Sequence, residues 1–319
     1  MSSRFVGAGD AIRTGDYPET TSVLVLRGGA ISYEDYFNEG GPETLNNTRS
    51  ATKSVTALAI GAAIGDGLIG SVDDRASSYF PEGHPMRDGG AKEAITIADL
   101  LSMSSAFVCN DSDPESPGNE ENMYPLENWG DWIFGLPTDA SATGQWRYCT
   151  AGVVLLGKVI EQASGEKADA YIERRVLQPL GISRQAWFYS EAGEAMTGGG
   201  LELTARDLGK LARLILDEGR WEGEEIVPAA FIRDALSIQR QANERQDYGY
   251  LFWRRDYETA CGAFSGWYMA GNGGNAVVMF KDLDAAIVVT RTRYNTRGMH
   301  DETIDLIERH LLPPLSCEK

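Results

Sequence analysis

Apolar residues in this chain fall into two kinds of pattern. Near the start, Thr21-Ser22-Val23-Leu24-Val25-Leu26, then Arg27-Gly28-Gly29, then Ala30 to Phe37 predict two strands joined by a glycine turn. Strand character returns late, at Tyr248 to Trp253, Ala263 to Ala270, Ala276 to Phe280 and Ala286 to Thr290, before a closing helix over Asp301 to Leu311. Between these regions the apolar positions take helical spacing, at Ser54 to Ile64, Ala151 to Ile160 and Ala205 to Ile215, with Thr204 as an N-cap for the last. A short capped helix and its exit are expected over Thr96 to Ser105. Residues 107–125, rich in Asp, Ser, Pro, Glu and Asn, predict a loop long enough to form a lid or a pocket wall.

The order of elements is strands, a helical middle, strands, then a helix. That order predicts an α+β fold: an antiparallel sheet formed from both chain ends, flanked by terminal helices and an inserted mainly helical domain. The expected division is a sheet domain of residues 1–70 and 198–319 and a helical domain of residues 71–197, with the helix after Ser50 at their interface. A cleft between the two is a natural ligand site.

At 319 residues the chain has ample length for a core. A formal net charge of −18 disfavours nucleic acid and anionic membranes as partners, since both repel it at long range. Met1-Ser2-Ser3-Arg4-Phe5 lacks the basic, apolar and cleavage-site series of a leader, and no stretch approaches a membrane span. The expected location is cytoplasmic, or periplasmic or secreted if a leader has been removed. Four cysteines, Cys109, Cys149, Cys261 and Cys317, show no C-x-x-C spacing; no disulfide framework is expected, and Cys149 reads as a packing residue. With three histidines and no G-x-S-x-G elbow, neither a metal, a cofactor nor a Ser-His-Asp arrangement is expected.

The chemistry centres on Ser50-Ala51-Thr52-Lys53, where a hydroxyl and an amine share one face of a helix start, a turn apart. A serine hydroxyl needs a neighbour to take its proton as it attacks a carbonyl, and a buried, neutral lysine can do so. Backbone N–H groups of the helix start favour negative charge developing on the substrate. Taken alone the tetrad is more often a plain helix start. A second copy, Ser164-Gly165-Glu166-Lys167, ends an apolar run and reads as a helix C-terminus.

Two further segments follow in order: Tyr148-Cys149-Thr150, then Gly271-Asn272-Gly273-Gly274-Asn275 before a strand. This ordered set resembles the serine β-lactamase and penicillin-binding-protein superfamily, in particular class C β-lactamase-like esterases and 6-aminohexanoate-dimer hydrolases. The resemblance implies a β-lactamase/transpeptidase-like fold and a serine hydrolase that cleaves carboxylic esters or small amides through an acyl-enzyme on Ser50. It gives Lys53 and Tyr148 the handling of the proton, with Lys53 at hydrogen-bond distance favouring the phenolate. Asn272, Gly273, Gly274 and Asn275 are implied as the oxyanion and substrate-binding segment, with the backbone N–H of Asn275 joining that of Ser50. Thr150 stands where β-lactamases usually carry Asn, and Asn272 leaves no cation for a β-lactam carboxylate. Both departures favour simple esters and amides over the alternatives on the same scaffold, a β-lactamase or a D-amino-acid-specific peptidase. A binding module without catalysis is a further alternative, disfavoured because Ser50, Lys53 and Tyr148 are all present. Trp129, Trp132, Trp146, Tyr250, Trp253 and Trp267 are candidates for an apolar acyl pocket, although most such aromatics are core.

Overall fold

The computed structural model describes residues 3–317. Strands β1 (Thr20–Arg27) and β2 (Ala30–Tyr36) form the expected hairpin. They join six strands from the C-terminal part: β3 (Arg240–Asn243), β4 (Gln246–Tyr248), β5 (Trp253–Thr259), β6 (Gly262–Gly271), β7 (Asn275–Phe280) and β8 (Ala285–Arg291). The resulting antiparallel sheet has the order β2-β1-β8-β7-β6-β5-β4-β3, so the two ends of the chain meet where β1 pairs with β8.

In β1 the side chains alternate between two cores. Val23 and Val25, with Ile287 and Val289 across the pair, pack against helix α1 (Val6–Thr14) and the C-terminal helical segment. Leu24 and Leu26, with Ala286 and Val288, face the helical layer on the other side. Because both faces are covered, these strands read as nearly continuous apolar runs.

The helical layer explains the middle of the sequence. Helix α2 (Thr52–Gly65) is buried from Thr52 through Ala63, so its run of Ala, Ile, Leu and Val has no polar stripe. Helix α3 (Ile97–Leu101) begins with a reciprocal capping box between Thr96 and Asp99. Helix α4 (Thr150–Ser164) packs on α2 and ends at Gly165 with φ +74°, which confirms the second Ser-x-x-Lys copy as a helix end. Helix α5 (Ala205–Leu216), capped by Thr204, lies across β1, β7 and β8. Helix α6 (Met299–Leu306) continues in wider turns to Leu311 and closes the opposite face.

Two expectations change. Tyr248 to Trp253 is not one strand, because the chain leaves the sheet between β4 and β5 and enters the helical layer. There the Tyr250 N–H donates to the Ala235 carbonyl (3.1 Å) and the Leu251 N–H to the Leu101 carbonyl (2.9 Å). The cysteines are also not free packing residues. Cys109 and Cys149 form one disulfide and Cys261 and Cys317 another, with Cα atoms 5.5 Å apart in each. Sequence spacing hid both pairs because each joins residues distant along the chain, 40 and 56 positions apart.

Candidate active site

Ser50 lies in a single 3-10 turn, Arg49–Ala51, that leads directly into α2, so Lys53 follows one turn later in the first turn of the α-helix. The lysine is buried, with 1% of its surface exposed. Its Nζ donates to Ser50 Oγ (3.1 Å) and to the Gly198 carbonyl (2.5 Å). Gly198 reaches this position because it has no side chain; a Cβ there would lie 2.6 Å from Thr150 Cγ2. The same segment is pinned to α2 by Thr56 Oγ1 donating to the Thr197 carbonyl and the Leu201 N–H donating to Thr52 Oγ1.

Tyr148 immediately precedes α4 by way of Cys149. Its ring stacks on Trp253 (5.8 Å, 25°), and Lys53 Nζ sits 5.0 Å from its centroid. The contact between lysine and tyrosine is therefore a cation–π contact rather than the hydrogen bond expected from the motif. Among the described residues the Tyr148 hydroxyl has no hydrogen-bond partner, and the side chain lines a cavity of about 870 Å³ together with Ser50.

The glycine segment reaches the same cavity through its first two residues. Gly271 and Asn272 line it beside Ser50. Gly271 closes on the serine turn so tightly that a Cβ would fall 1.7 Å from the Thr48 carbonyl oxygen and 3.2 Å from the Ala51 nitrogen. Among the described residues the N–H groups of Ser50 and Asn272 make no hydrogen bond within the fold. For Ser50 this follows from its place at a helix start, where the first N–H groups have no acceptor behind them.

Gly273, Gly274 and Asn275 do not line the cavity. Asn275 opens β7 opposite Gly271 and is 1% exposed; its amide donates to the Asn272 carbonyl (2.7 Å) and accepts from the Arg291 N–H (3.0 Å). The Gly273 N–H points to Met299 Sδ (3.1 Å) and the Gly274 carbonyl accepts from Thr303 Oγ1 (2.7 Å), both on α6. Asn275, the donor expected from the motif, thus lies three residues past the N–H at the cavity, that of Asn272, because the strand that approaches the serine is β6 and not β7.

Asp111, which the motifs did not single out, lies in the loop expected to form a pocket wall and lines the cavity with Ser112 and Glu120. Its carboxylate accepts the N–H of Thr150 (2.7 Å) and of Glu120 (3.0 Å), while its own N–H donates to the Tyr148 carbonyl (2.8 Å). Burial first, and then the Glu120 charge, push the Asp111 carboxyl above its ordinary range, with Lys53 opposing. The Cys109–Cys149 disulfide fixes the same loop to the residue after Tyr148. The acid content of the loop was visible in the sequence, but its closure over Tyr148 was not. Of the candidate aromatics, Trp146 and Trp253 line the cavity, Trp129 is buried in the core, and Trp132, Tyr250 and Trp267 stand outside the lining.

The β-lactamase family model matches residues 18–311. Over 230 residues the chain is 25% identical to a 6-aminohexanoate-dimer hydrolase of Paenarthrobacter ureafaciens, which covers 68% of this chain and 57% of that protein. It is 27% identical over 161 residues to the esterase EstB of Burkholderia gladioli, covering 48% of this chain and 40% of the esterase. The chain thus spans about half the length of the named relatives it matches. A penicillin binding protein from Bacillus halodurans has the same fold, with a TM-score of 0.71 at 19% identity, covering 94% of this chain and 98% of that one. Matched by the family model over residues 18–311, from the first strand to the end of the segment that continues α6, the chain belongs to the β-lactamase family.

Proposed function

We propose that this protein is a serine hydrolase that cleaves carboxylic esters or small amides through an acyl-enzyme on Ser50. The observation that carries the reading is the 3.1 Å hydrogen bond between buried Lys53 and a serine at the wall of a large cavity. In the proposed cycle Ser50 Oγ attacks the acyl carbon and its proton passes to the Lys53–Tyr148 pair. The carbonyl π electrons move onto oxygen, where the free N–H groups of Ser50 and Asn272 receive the charge. Collapse of the tetrahedral adduct breaks the bond to the alcohol or amine, which leaves with a proton from the Lys53–Tyr148 pair. Water then adds to the acyl-enzyme, gives a proton back through the same pair, and releases the acid and Ser50.

Esters and small amides are favoured by two features of the lining. The wall includes the apolar rings of Trp146 and Trp253, and position 272 carries an uncharged asparagine, the cavity's arginines standing at 245, 255 and 297. The likeness to an aminohexanoate-dimer hydrolase and to esterases supports the same class. No helix among the described residues is long and apolar enough to cross a membrane. The two disulfides favour an oxidising compartment, periplasmic or extracellular, over the cytoplasm.

Burst kinetics with a p-nitrophenyl ester, run beside a chromogenic β-lactam and a fluorophosphonate probe, test the proposal. The expected result is a burst and probe labelling with the ester favoured, both lost in Ser50→Ala. Labelling that persists in Ser50→Ala overturns the nucleophile, and a preference for the β-lactam overturns the substrate class.

A further inference from the structure

Two backbone N–H groups stabilise one oxyanion only if both lie about 2.7–3.1 Å from it, so their separation must be held. Ser50 and Asn272 belong to different elements. The packing of Gly271 on Thr48 stops them from approaching further, but a steric contact does not stop them from parting.

The residues after β8 supply the missing restraint. The Tyr294 hydroxyl donates to the Asn47 carbonyl (2.9 Å), and the Arg49 guanidinium lies 4.7 Å from the Tyr294 ring centroid, so this residue grips the segment that enters the Ser50 turn. The next residue grips the other side. Asn295 accepts from Asn272 Nδ2 (2.6 Å) through its Oδ1, and its N–H donates to Asn272 Oδ1 (2.8 Å). The Asn272 amide is therefore used in holding its own backbone. Asn295 has φ +57°, a left-handed conformation that asparagine tolerates better than most residues. The root of the loop is anchored in turn, as Arg293 pairs with Glu302 and Glu19 and buried Arg291 shares Glu302.

We infer that Tyr294 and Asn295 are positioning residues, a tie across the serine turn and the β6–β7 connection that sets the spacing of the Ser50 and Asn272 N–H groups. The inference rests on the reading of those groups as oxyanion donors. Neither residue need touch substrate.

The test uses the full chain carrying Asn295→Gly, which keeps the left-handed backbone but removes the Oδ1 acceptor, Asn295→Asp, which restores an acceptor, and Tyr294→Phe. Asn295→Gly and Tyr294→Phe should each lower kcat/KM toward the p-nitrophenyl ester about tenfold, with KM within about twofold of wild type. Affinity for an arylboronic acid, which forms a tetrahedral adduct on serine, should fall by the same factor, and Asn295→Asp should recover most of the loss. Rates within about twofold of wild type in both, or a loss confined to KM with boronate affinity unchanged, overturn the tie. Backbone ¹⁵N order parameters of Asn272 and Gly273 give a readout independent of turnover. They should drop in Asn295→Gly and recover in Asn295→Asp; unchanged values overturn the tie even if the wild-type protein proves not to be acylated, a result that would instead reject the hydrolase reading.

Discussion

Gly271→Ala is the sharpest probe of how β6 meets the Ser50 turn. The added Cβ would stand 1.7 Å from the Thr48 carbonyl oxygen and 2.8 Å from its carbon. A tolerable carbon–oxygen contact is about 3.2 Å, so the serine turn and β6 must separate by about 1.5 Å. Neither side yields cheaply, because Thr48 is 3% exposed and its carbonyl accepts the Ala51 N–H, while β6 is held by β5 and β7 on both edges. Overpacking of this kind costs about 1–3 kcal/mol of stability, so the variant should fold with a lowered melting temperature. Misplacing a donor by about 1 Å costs about 10²-fold in rate, or about 2.7 kcal/mol of barrier. Stopped-flow acylation by the p-nitrophenyl ester should therefore slow about 100-fold, whereas Gly135→Ala, whose Cβ meets nothing within 4 Å, should leave rate and stability unchanged. Gly271→Ala protein acylated within about threefold of wild type would refute both the tight approach and the use of this backbone in the oxyanion site.

Tyr148→Phe keeps the stacking on Trp253 and removes only an unpartnered hydroxyl, so the fold should hold while ester turnover falls about 10²–10⁴-fold; near-normal turnover would remove the tyrosine from proton transfer. Replacing Cys109 and Cys149 by Ser should cost about 4 kcal/mol by chain entropy for a bridge spanning 40 positions, and should also lower kcat, because the bridge adjoins Tyr148. The same change at Cys261 and Cys317 should lower the melting temperature alone, and equal effects on kcat from the two pairs would contradict that distinction. Lys158 and Glu194 form a nearly buried pair at 2.8 Å, so Lys158→Met should cost about 3–5 kcal/mol in chemical denaturation. Burial alone would raise the Glu194 carboxyl, but Lys158 and the N–H groups of Trp129 and Gly130 hold it below its ordinary range. Its contribution is thus present above the unfolded carboxyl range and lost as pH falls through the folded value, at up to about 1.4 kcal/mol per pH unit. Glu194→Gln should flatten that acid limb, and an unaltered limb would refute the assignment.

Local pattern carried most of the fold. The hairpin at β1 and β2, the apolar run of α2 and the Thr204 cap each depend on neighbours in sequence, and each appears where the letters put it. The failures share one cause. Tyr248 to Trp253 has strand character, yet the chain leaves the sheet there because the Ala235 and Leu101 carbonyls take the N–H groups of Tyr250 and Leu251. The cysteine pairs likewise depend on which distant segments meet, and no local spacing encodes that.

The candidate site divides along the same line. Ser50 and Lys53 are related by a helical turn, so their meeting is a local property and was legible. The glycine segment was legible as a close approach but not in register, because five consecutive residues of Gly and Asn offer no side-chain pattern to say which of them faces the serine. Register is instead fixed by three long-range contacts: Gly271 against Thr48, Asn275 on the Arg291 backbone, and Asn272 on Asn295. Moving the segment by one residue toward its C-terminus would bring an asparagine side chain where even a methyl group collides, so sterics alone reject that alternative. The glycine at 271 is thus what lets β6 reach the serine turn, and it leaves the following N–H, at Asn272, at the cavity with no partner among the described residues.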